Sequence, residues 1–147
     1  MILISHRGNL EGKSNDENNP QKIQEVINLG FDVEVDLRYN SNKLYLGHDY
    51  PQYLISKEWL LGLRENLWIH CKDIYTIEYI INDRSLSDLH FFFHENDNST
   101  LTSKGFLWVY PGFQPVKKSI AVLPELSNEN ITECQGICSD NILNYKK

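Results

Sequence analysis

The sequence lacks any apolar run of the roughly 18 residues that a membrane-spanning helix requires. Its first residues, Met-Ile-Leu-Ile-Ser-His, also lack the basic region and the cleavage pattern of a signal peptide. We therefore expect a cytoplasmic protein with no stable membrane insertion.

Cysteines and basic residues are few. Cys71, Cys134 and Cys138 are an odd set in mostly apolar surroundings, which favours buried free thiols over a disulfide framework. A single Cys-x-x-x-Cys spacing is only a weak indication of zinc. The chain has 14 basic and 20 acidic residues. Because nucleic-acid binding needs clustered Lys and Arg, this balance excludes a general nucleic-acid binder and fits a small-molecule enzyme or an interaction module.

The sequence also lacks an internal repeat, a low-complexity tract and an interdomain linker. With 147 residues, of which 41% are hydrophobic, the chain can build one core. We therefore predict a single domain over residues 1–147.

Apolar runs and capping residues alternate along the chain. The apolar residues 2–4 predict a strand, and residues 31–37 predict a second one. Between them, Asn19 as N-cap and Pro20 in the first turn predict a helix that stops at Gly30. Ser56 and Asp73 are N-cap candidates for two further helices, the first of which extends to Glu65. Further strands are predicted at 44–46, 67–72, 89–93, 106–110, 120–123 and 136–138, and single helical turns at 99–104 and 129–134.

This order predicts an α/β fold. The later connections are too short for helices, and a full (β/α)₈ barrel typically needs about 250 residues. We therefore predict a compact, shortened or incomplete TIM-type (β/α) barrel with several helices replaced by loops.

Three polar clusters lie at the ends of predicted strands: residues 5–8, residues 34–36 and residues 47–49. In parallel α/β folds, active sites are built at that edge of the sheet. Alternation along residues 31–37 places Glu34 and Asp36 on the face opposite the apolar side chains. Asp32, at the start of the same strand, is predicted to be solvated.

The clusters resemble a known family. His6-Arg7-Gly8, Glu17-Asn18 before a helix, Glu34-x-Asp36 and His48-Asp49 are similar to motifs of the glycerophosphodiester phosphodiesterases, within the phospholipase C-like TIM-barrel superfamily. Residues 136–140, Gly-Ile-Cys-Ser-Asp, look like that family's last barrel strand, commonly Gly-Ile-x-Thr-Asp. The likeness is strong over residues 1–50, faint in the middle and moderate near the end.

The resemblance implies that His6 and His48 are an acid–base pair, that Arg7 holds the phosphate, and that Glu34 and Asp36 bind a divalent cation. Chemistry supports each role. Two imidazoles can exchange protons near neutral pH, and a guanidinium matches phosphate oxygens. Two carboxylates on one strand face can bind Mg²⁺ or Ca²⁺.

The sequence departs from the family at one position. A Glu-x-Lys pattern usually follows on the next strand, where this chain has His70-Cys71-Lys72. His70 can serve as the third metal ligand, with a preference shifted toward Mn²⁺ or Zn²⁺; alternatively the ion is lost and Lys72 supplies the positive charge. We expect His70 and Lys72 to face the site, and His94 either to contact substrate or to cap the following turn.

Three functions follow from these residues. The leading prediction is a metal-assisted hydrolase of a glycerol- or polyol-phosphodiester, with a small molecule as its partner. The alternatives are a non-catalytic phosphate-ester binding domain and a lyase-type enzyme that leaves a cyclic phosphate. Exposed strand edges on an incomplete barrel also leave self-association open.

Overall fold

The computed structural model describes residues 1–147, which form ten strands and three α-helices. In chain order these are β1 (Ile2–His6), α1 (Pro20–Asn28), β2 (Asp32–Asn40), β3 (Lys43–Leu46), β4 (Tyr53–Ile55), α2 (Lys57–Leu63), β5 (Leu67–Cys71), α3 (Ile74–Asn82), β6 (Phe91–Phe92), β7 (Ser99–Leu101), β8 (Leu107–Val109), β9 (Ser119–Val122) and β10 (Gly136–Ser139). Single 3₁₀ turns lie at Arg84–Leu86, Pro124–Leu126 and Ile142–Tyr145. None of the helices has the length and apolarity needed to cross a bilayer.

Each α-helix begins at its predicted cap. The Asn19 side chain accepts hydrogen bonds from the first turn of α1, and Pro20 opens that helix. The side chains of Ser56 and Asp73 likewise accept backbone hydrogen bonds from the first turns of α2 and α3. Each cap satisfies backbone N–H groups that have no partner within the helix, and such caps contribute about 1 kcal/mol each.

One curled sheet contains all ten strands. Its parallel part runs in the order β6, β5, β2, β1, β10, β9, β8. β7 pairs antiparallel with β8, while β3 and β4 extend antiparallel from the far end of β2. β2 and β3 therefore form a hairpin, and the fold is a mixed α/β fold.

The sheet curls strongly enough to bring its two ends together. The rings of Phe92 on β6 and Trp108 on β8 have centroids 4.6 Å apart, although no backbone ladder joins those strands. Trp68 and Trp108 fill the concave side together with Ile4 and Ile120. The sheet is therefore an incomplete barrel whose interior is packed with aromatic and aliphatic side chains.

A second core lies between the convex face of the sheet and the helices. Val33, Val35 and Leu37 of β2 pack there with Ile23 of α1 and Ile80 of α3. Because side chains alternate along a strand, the intervening Glu34 and Asp36 face the concave side. Burial of the apolar half of β2 thereby fixes the direction of its carboxylates.

Both predicted single helical turns are wrong. Residues 99–104 begin with strand β7. Thr100 Oγ1 of β7 donates to the carbonyl oxygen of Phe93, just after β6, and Ser103 N donates to the carbonyl oxygen of Phe91. Residues 129–134 contain no helix, because Asn130 Oδ1 accepts from both the backbone and the hydroxyl of Thr132. Such a local side-chain turn competes with helical hydrogen bonding.

Other boundaries differ less. β6 spans two residues where residues 89–93 were predicted, and α2 ends at Leu63. The three cysteines are buried and unpaired.

Candidate active site

The turn after β1 brings His6 and Arg7 to the edge of the sheet. Arg7 and Gly8 both have left-handed backbone conformations, with φ of 56° and 86°. The Arg7 amide donates to the Glu34 carbonyl oxygen at 2.9 Å, which ties the turn to β2. A residue other than glycine in this conformation is uncommon and tends to mark a constrained functional turn.

His6 is held by a carboxylate on each side of its ring. Its Nδ1 lies 2.7 Å from Asp140 Oδ1, and its Nε2 lies 3.8 Å from Glu34 Oε2. Burial lowers the pKa of His6, but the hydrogen bond to Asp140 and the charge of Glu34 outweigh burial and raise that pKa above its usual value. The Asp140 contact also selects the tautomer with hydrogen on Nδ1, leaving Nε2 toward Glu34.

Glu34, Asp36 and His70 form a buried group that could hold a cation. Asp36 on β2 pairs in register with His70 on β5, and Glu34 lies two residues before Asp36 on the same face. One ligand atom from each of the three residues lies within 4.8 Å of the others. His70 Nδ1 is 3.3 Å from Asp36 Oδ1 and 3.8 Å from Glu34 Oε1. These are the three residues predicted as metal ligands.

The hydrogen bonding of this group is incomplete. Glu34 Oε2, Asp36 Oδ1 and His70 Nε2 are buried without a hydrogen-bond partner. Buried polar atoms normally have partners, because an unmet one costs about 1 to 3 kcal/mol. Two carboxylates and one imidazole are ligands for Mn²⁺, Zn²⁺ or Mg²⁺, so the donor set fits a divalent cation.

Two protein cations share the Asp36 carboxylate with this group. Arg7 Nε lies 3.0 Å from Asp36 Oδ2, and Lys72 Nζ lies 3.3 Å from Asp36 Oδ1. Burial opposes ionisation of Asp36, but the nearby His70 imidazole and the charges of Arg7 and Lys72 hold its pKa far below the usual range. The pKa of Glu34 is instead raised, by burial and by the charge of Asp36.

A second layer of amides fixes the carboxylates. Asn18, which is buried, donates from Nδ2 to Asp36 Oδ2 and accepts from the Asp36 backbone amide, both at 2.9 Å. Asn9, also buried, donates to Glu17 at 2.7 Å and to Asp140 at 2.8 Å. Glu17 in turn accepts from Arg7 Nη1 at 3.2 Å. The loop between β1 and α1 therefore positions both His6 and Asp36.

His48 reaches the site from the loop after β3. Gly47 precedes it, and a Cβ there would lie 2.1 Å from the Tyr50 carbonyl oxygen, so only glycine fits this bend. Arg38 donates to the carbonyl oxygens of Gly47 and His48, and Asp49 Oδ1 lies 2.8 Å from His48 Nδ1. Burial and the charge of Arg7 lower the pKa of His48. Asp49 thus orients His48.

His94 lies on an aromatic wall. Its ring stacks on that of His70 at 4.5 Å and contacts the ring of Tyr110 at 4.3 Å, and the Tyr110 hydroxyl is hydrogen-bonded to its Nε2. Burial, together with the charges of His70 and Lys72, lowers the pKa of His94 to about 4. His94 is therefore neutral at pH 7, and its ring is part of the wall of the site.

These side chains surround one cavity of about 490 Å³. We call it the polar cavity; its lining includes seven of the eight residues predicted for the site, namely His6, Arg7, Glu34, His48, His70, Lys72 and His94. The eighth, Asp36, is fully buried behind the lining. The inward placement predicted for His70 and Lys72 is therefore observed, and Trp108 and Tyr110 line the same cavity.

Several contacts in the site were not predicted. Asp140 follows the last strand and bonds to His6 across 134 positions of sequence, a distance that no local pattern reveals. The one sequence signal for Asp140 was its place just after a predicted strand, at the sheet edge where the other polar clusters lie. Asp32 was predicted to be solvated, but its carboxylate accepts from Asn66 and from the Trp68 indole at 3.0 Å. The prediction was wrong because β5 brings two donors alongside it.

Searches against protein-family models, curated proteins and solved structures find no match to this chain.

Proposed function

We propose that the protein is a phosphodiester hydrolase in which His6 and His48 act as an acid–base pair beside a divalent cation. The single observation that carries this proposal is the polar cavity, because the two histidines, a guanidinium and a carboxylate–imidazole group meet there. Phosphodiester cleavage requires a proton acceptor, a proton donor and positive charge at the phosphoryl oxygens. The cavity contains groups suited to all three tasks.

The fold adds support. Seven parallel strands curl so that His6 at the end of β1, His70 next to the end of β5 and His94 just after β6 lie at the carboxyl edge of the sheet. Glu34 and Asp36 lie within β2, in register with His6 and His70 respectively. TIM-type barrels build their active sites at this end of the sheet. We therefore interpret the incomplete barrel as a shortened TIM-type barrel, similar to the phospholipase C-like phosphodiesterases.

Glu34, Asp36 and His70 would hold the cation. When bound, the ion would supply Lewis-acid stabilisation of the charge that builds on the phosphoryl oxygens. The imidazole of His70 favours Mn²⁺ or Zn²⁺ over Ca²⁺, and Mg²⁺ remains compatible with the two carboxylates. Asn18 keeps the Asp36 carboxylate in place by bonding both its side chain and its amide.

The chain's other residues bind substrate and move protons. Arg7 offers Nη2, which makes no bond within the protein, to a phosphate oxygen. His6 Nε2 and the half-buried imidazole of His48 both border the cavity, and either can accept a proton from water while the other protonates the leaving oxygen. His94 and Tyr110 give the cavity a neutral, partly aromatic wall that suits a glycerol or polyol group.

One contact favours a second version of this chemistry. Lys72 already lies 3.3 Å from Asp36 Oδ1, so its ammonium group could supply the positive charge without a metal. Metal removal separates the two versions, since only the first loses turnover. Analysis of the products by ³¹P NMR distinguishes hydrolysis from formation of a cyclic phosphate.

The experiment is hydrolysis of bis(p-nitrophenyl) phosphate after EDTA treatment and after restoration of Mg²⁺, Mn²⁺, Zn²⁺ or Ca²⁺. We expect turnover to vanish with EDTA and to return best with Mn²⁺, Zn²⁺ or Mg²⁺. Glu34→Gln should weaken the apparent affinity for the ion at least about tenfold, because it removes one anionic ligand. Glu133→Gln is the matched control, since Glu133 is exposed and does not line the cavity. Turnover that EDTA leaves unchanged contradicts the metal assignment, and no turnover with any ion contradicts the hydrolase itself.

A further inference from the structure

A second concavity lies outside the polar cavity, between helix α3 and the turn that joins β2 to β3. Its volume is about 570 Å³. A neighbouring depression of about 460 Å³ adjoins it along Tyr39 and Tyr79. We call the two together the tyrosine groove; no residue of the candidate active site lines it.

The groove presents aromatic rings next to amide groups. Tyr39 and Tyr79 stack at 4.2 Å and form a ridge between the two depressions, and Tyr75 lies on the same helix one turn earlier and is 65% exposed. Asn42 and Asn82 border the rings on opposite walls. Flat apolar ring surfaces beside groups that both donate and accept hydrogen bonds suit a ligand with apolar C–H faces and many hydroxyl groups.

The charged side chains of the groove do not favour an ionic ligand. Asp83 is paired with Lys57, so neither side chain offers a free charge. Glu78 has no ion-pair partner, and Lys43 lies at the opposite end of the groove. With no cluster of either sign, the groove is poorly suited to a phosphate group or to a strongly basic peptide.

The walls are preorganised. Ser41 and Asn42 adopt successive left-handed conformations, with φ of 50° and 61°, as in the tight turns that fit twisted hairpins. Tyr39 N donates to Thr76 Oγ1 at 2.9 Å, and this fully buried threonine also bonds to Asp73. β2 and α3 are thereby fixed to each other, so little ordering is required when a ligand binds.

We infer that the tyrosine groove is a binding site for a neutral saccharide, with sugar rings packed against Tyr75 and the Tyr39–Tyr79 pair and with hydroxyl groups bonded to Asn42 and Asn82. The site is separate from the polar cavity. Its function does not depend on the proposed hydrolysis.

The test is a ¹H–¹⁵N NMR titration of the full chain with cellobiose, maltose and N,N′-diacetylchitobiose. Saturable shifts confined to residues 39–44, 54–57 and 75–83, for at least one of these sugars, are expected. Tyr75→Ala and Asn82→Ala should each weaken that affinity at least about fivefold, through loss of ring packing or of an amide. Both residues are exposed, so both variants should fold, and dispersed spectra verify this.

The control is Phe113→Ala, which removes a half-exposed ring that lies outside the groove. It should leave the affinity unchanged. The inference is overturned if none of the three sugars causes saturable shifts in the groove, if the shifts map to the polar cavity, or if the two groove variants bind as tightly as the wild type. If a proline-rich peptide binds the groove and none of the sugars does, the ligand is a peptide and the saccharide inference is overturned.

Discussion

Asp140→Asn tests whether the carboxylate beside His6 sets the protonation of that imidazole. The substitution keeps size and shape while removing the negative charge 2.7 Å from His6 Nδ1. The amide oxygen of the replacement can still accept from His6 and from Asn9. The change is therefore mainly one of charge.

The expected magnitude follows from the type of hydrogen bond lost. A bond to a charged partner contributes about 1.5 to 3 kcal/mol, and a neutral one about 0.5 to 1.5 kcal/mol. The difference, about 1 to 1.5 kcal/mol, corresponds to roughly one pKa unit. Because a carboxylate stabilises the protonated imidazole, its loss should lower the pKa of His6 by about one unit.

The assay is an NMR titration of the His6 ring proton in EDTA, together with turnover of bis(p-nitrophenyl) phosphate with metal restored. We expect the lower pKa and a fall in kcat/KM of at least about tenfold. Asp88→Asn is the control, since Asp88 is exposed and has no bonding partner. A pKa of His6 that does not move in the Asp140 variant refutes the reasoning.

Three further outcomes are expected. Asn18→Ala removes two buried bonds to Asp36, so urea unfolding should show a loss of about 2 to 3 kcal/mol. Burial and a nearby lysine lower the pKa of His90 to about 4, so this imidazole is neutral in the folded protein above that pH. Because the unfolded chain binds the proton more readily, the protein should become less stable as the pH falls from about 6.5 to 4. His90→Gln should flatten the stability–pH curve by up to about 3 kcal/mol over that window. Gly47→Ala should cost at least about 2 kcal/mol and displace the His48 loop, because its Cβ meets the Tyr50 carbonyl oxygen.

Matched variants check each expectation. Asn15→Ala lies in the same loop as Asn18 but its side chain makes no hydrogen bond, so it should be neutral. Gly62→Ala lies in α2 with open space around it and should stabilise by about 0.5 to 1 kcal/mol. If Asn18→Ala or Gly47→Ala behaves like its control, or if His90→Gln leaves the pH profile unchanged, the corresponding contact does not have the role assigned to it.

The first half of the fold was accessible from sequence because its signals are local. A cap and a proline mark α1, and strict alternation in β2 separates Val33 and Val35 from Glu34 and Asp36. Such patterns depend on neighbours within one turn or one strand. The same alternation explains why the carboxylates of the candidate site were placed on the correct face.

The second half depends on distant partners. β7 is a strand because β8 offers a free edge to pair with, and nothing within residues 99–104 indicates that edge. The contacts of Asp140 with His6 and Asn9 also join opposite ends of the chain. Tertiary pairing of this kind overrides weak local propensity, which is why the turn at 99–104 was predicted incorrectly and the role of Asp140 was missed.

The residues predicted for the site line one cavity because they were chosen by residue type near the ends of predicted strands. His6 and His70 lie at or next to the carboxyl ends of β1 and β5, and Glu34 on β2 is in register with His6, so the topology brings the three together once the strand order is known. The supporting amides of Asn9 and Asn18 had no comparable signal, since asparagines in a polar loop are typical of turns. Their role comes from the folded loop.

The most direct test of the central claim is the rate of glycerophosphodiester hydrolysis by wild-type protein, His6→Ala and His48→Ala at saturating Mn²⁺, with His90→Gln as the histidine control outside the polar cavity. The account predicts measurable wild-type turnover, a loss of about two to four decades in kcat/KM for each of the two cavity variants, and near wild-type turnover for the control. Wild-type turnover that survives both His6→Ala and His48→Ala would contradict the acid–base pair, and with it the assignment of the polar cavity as the active site.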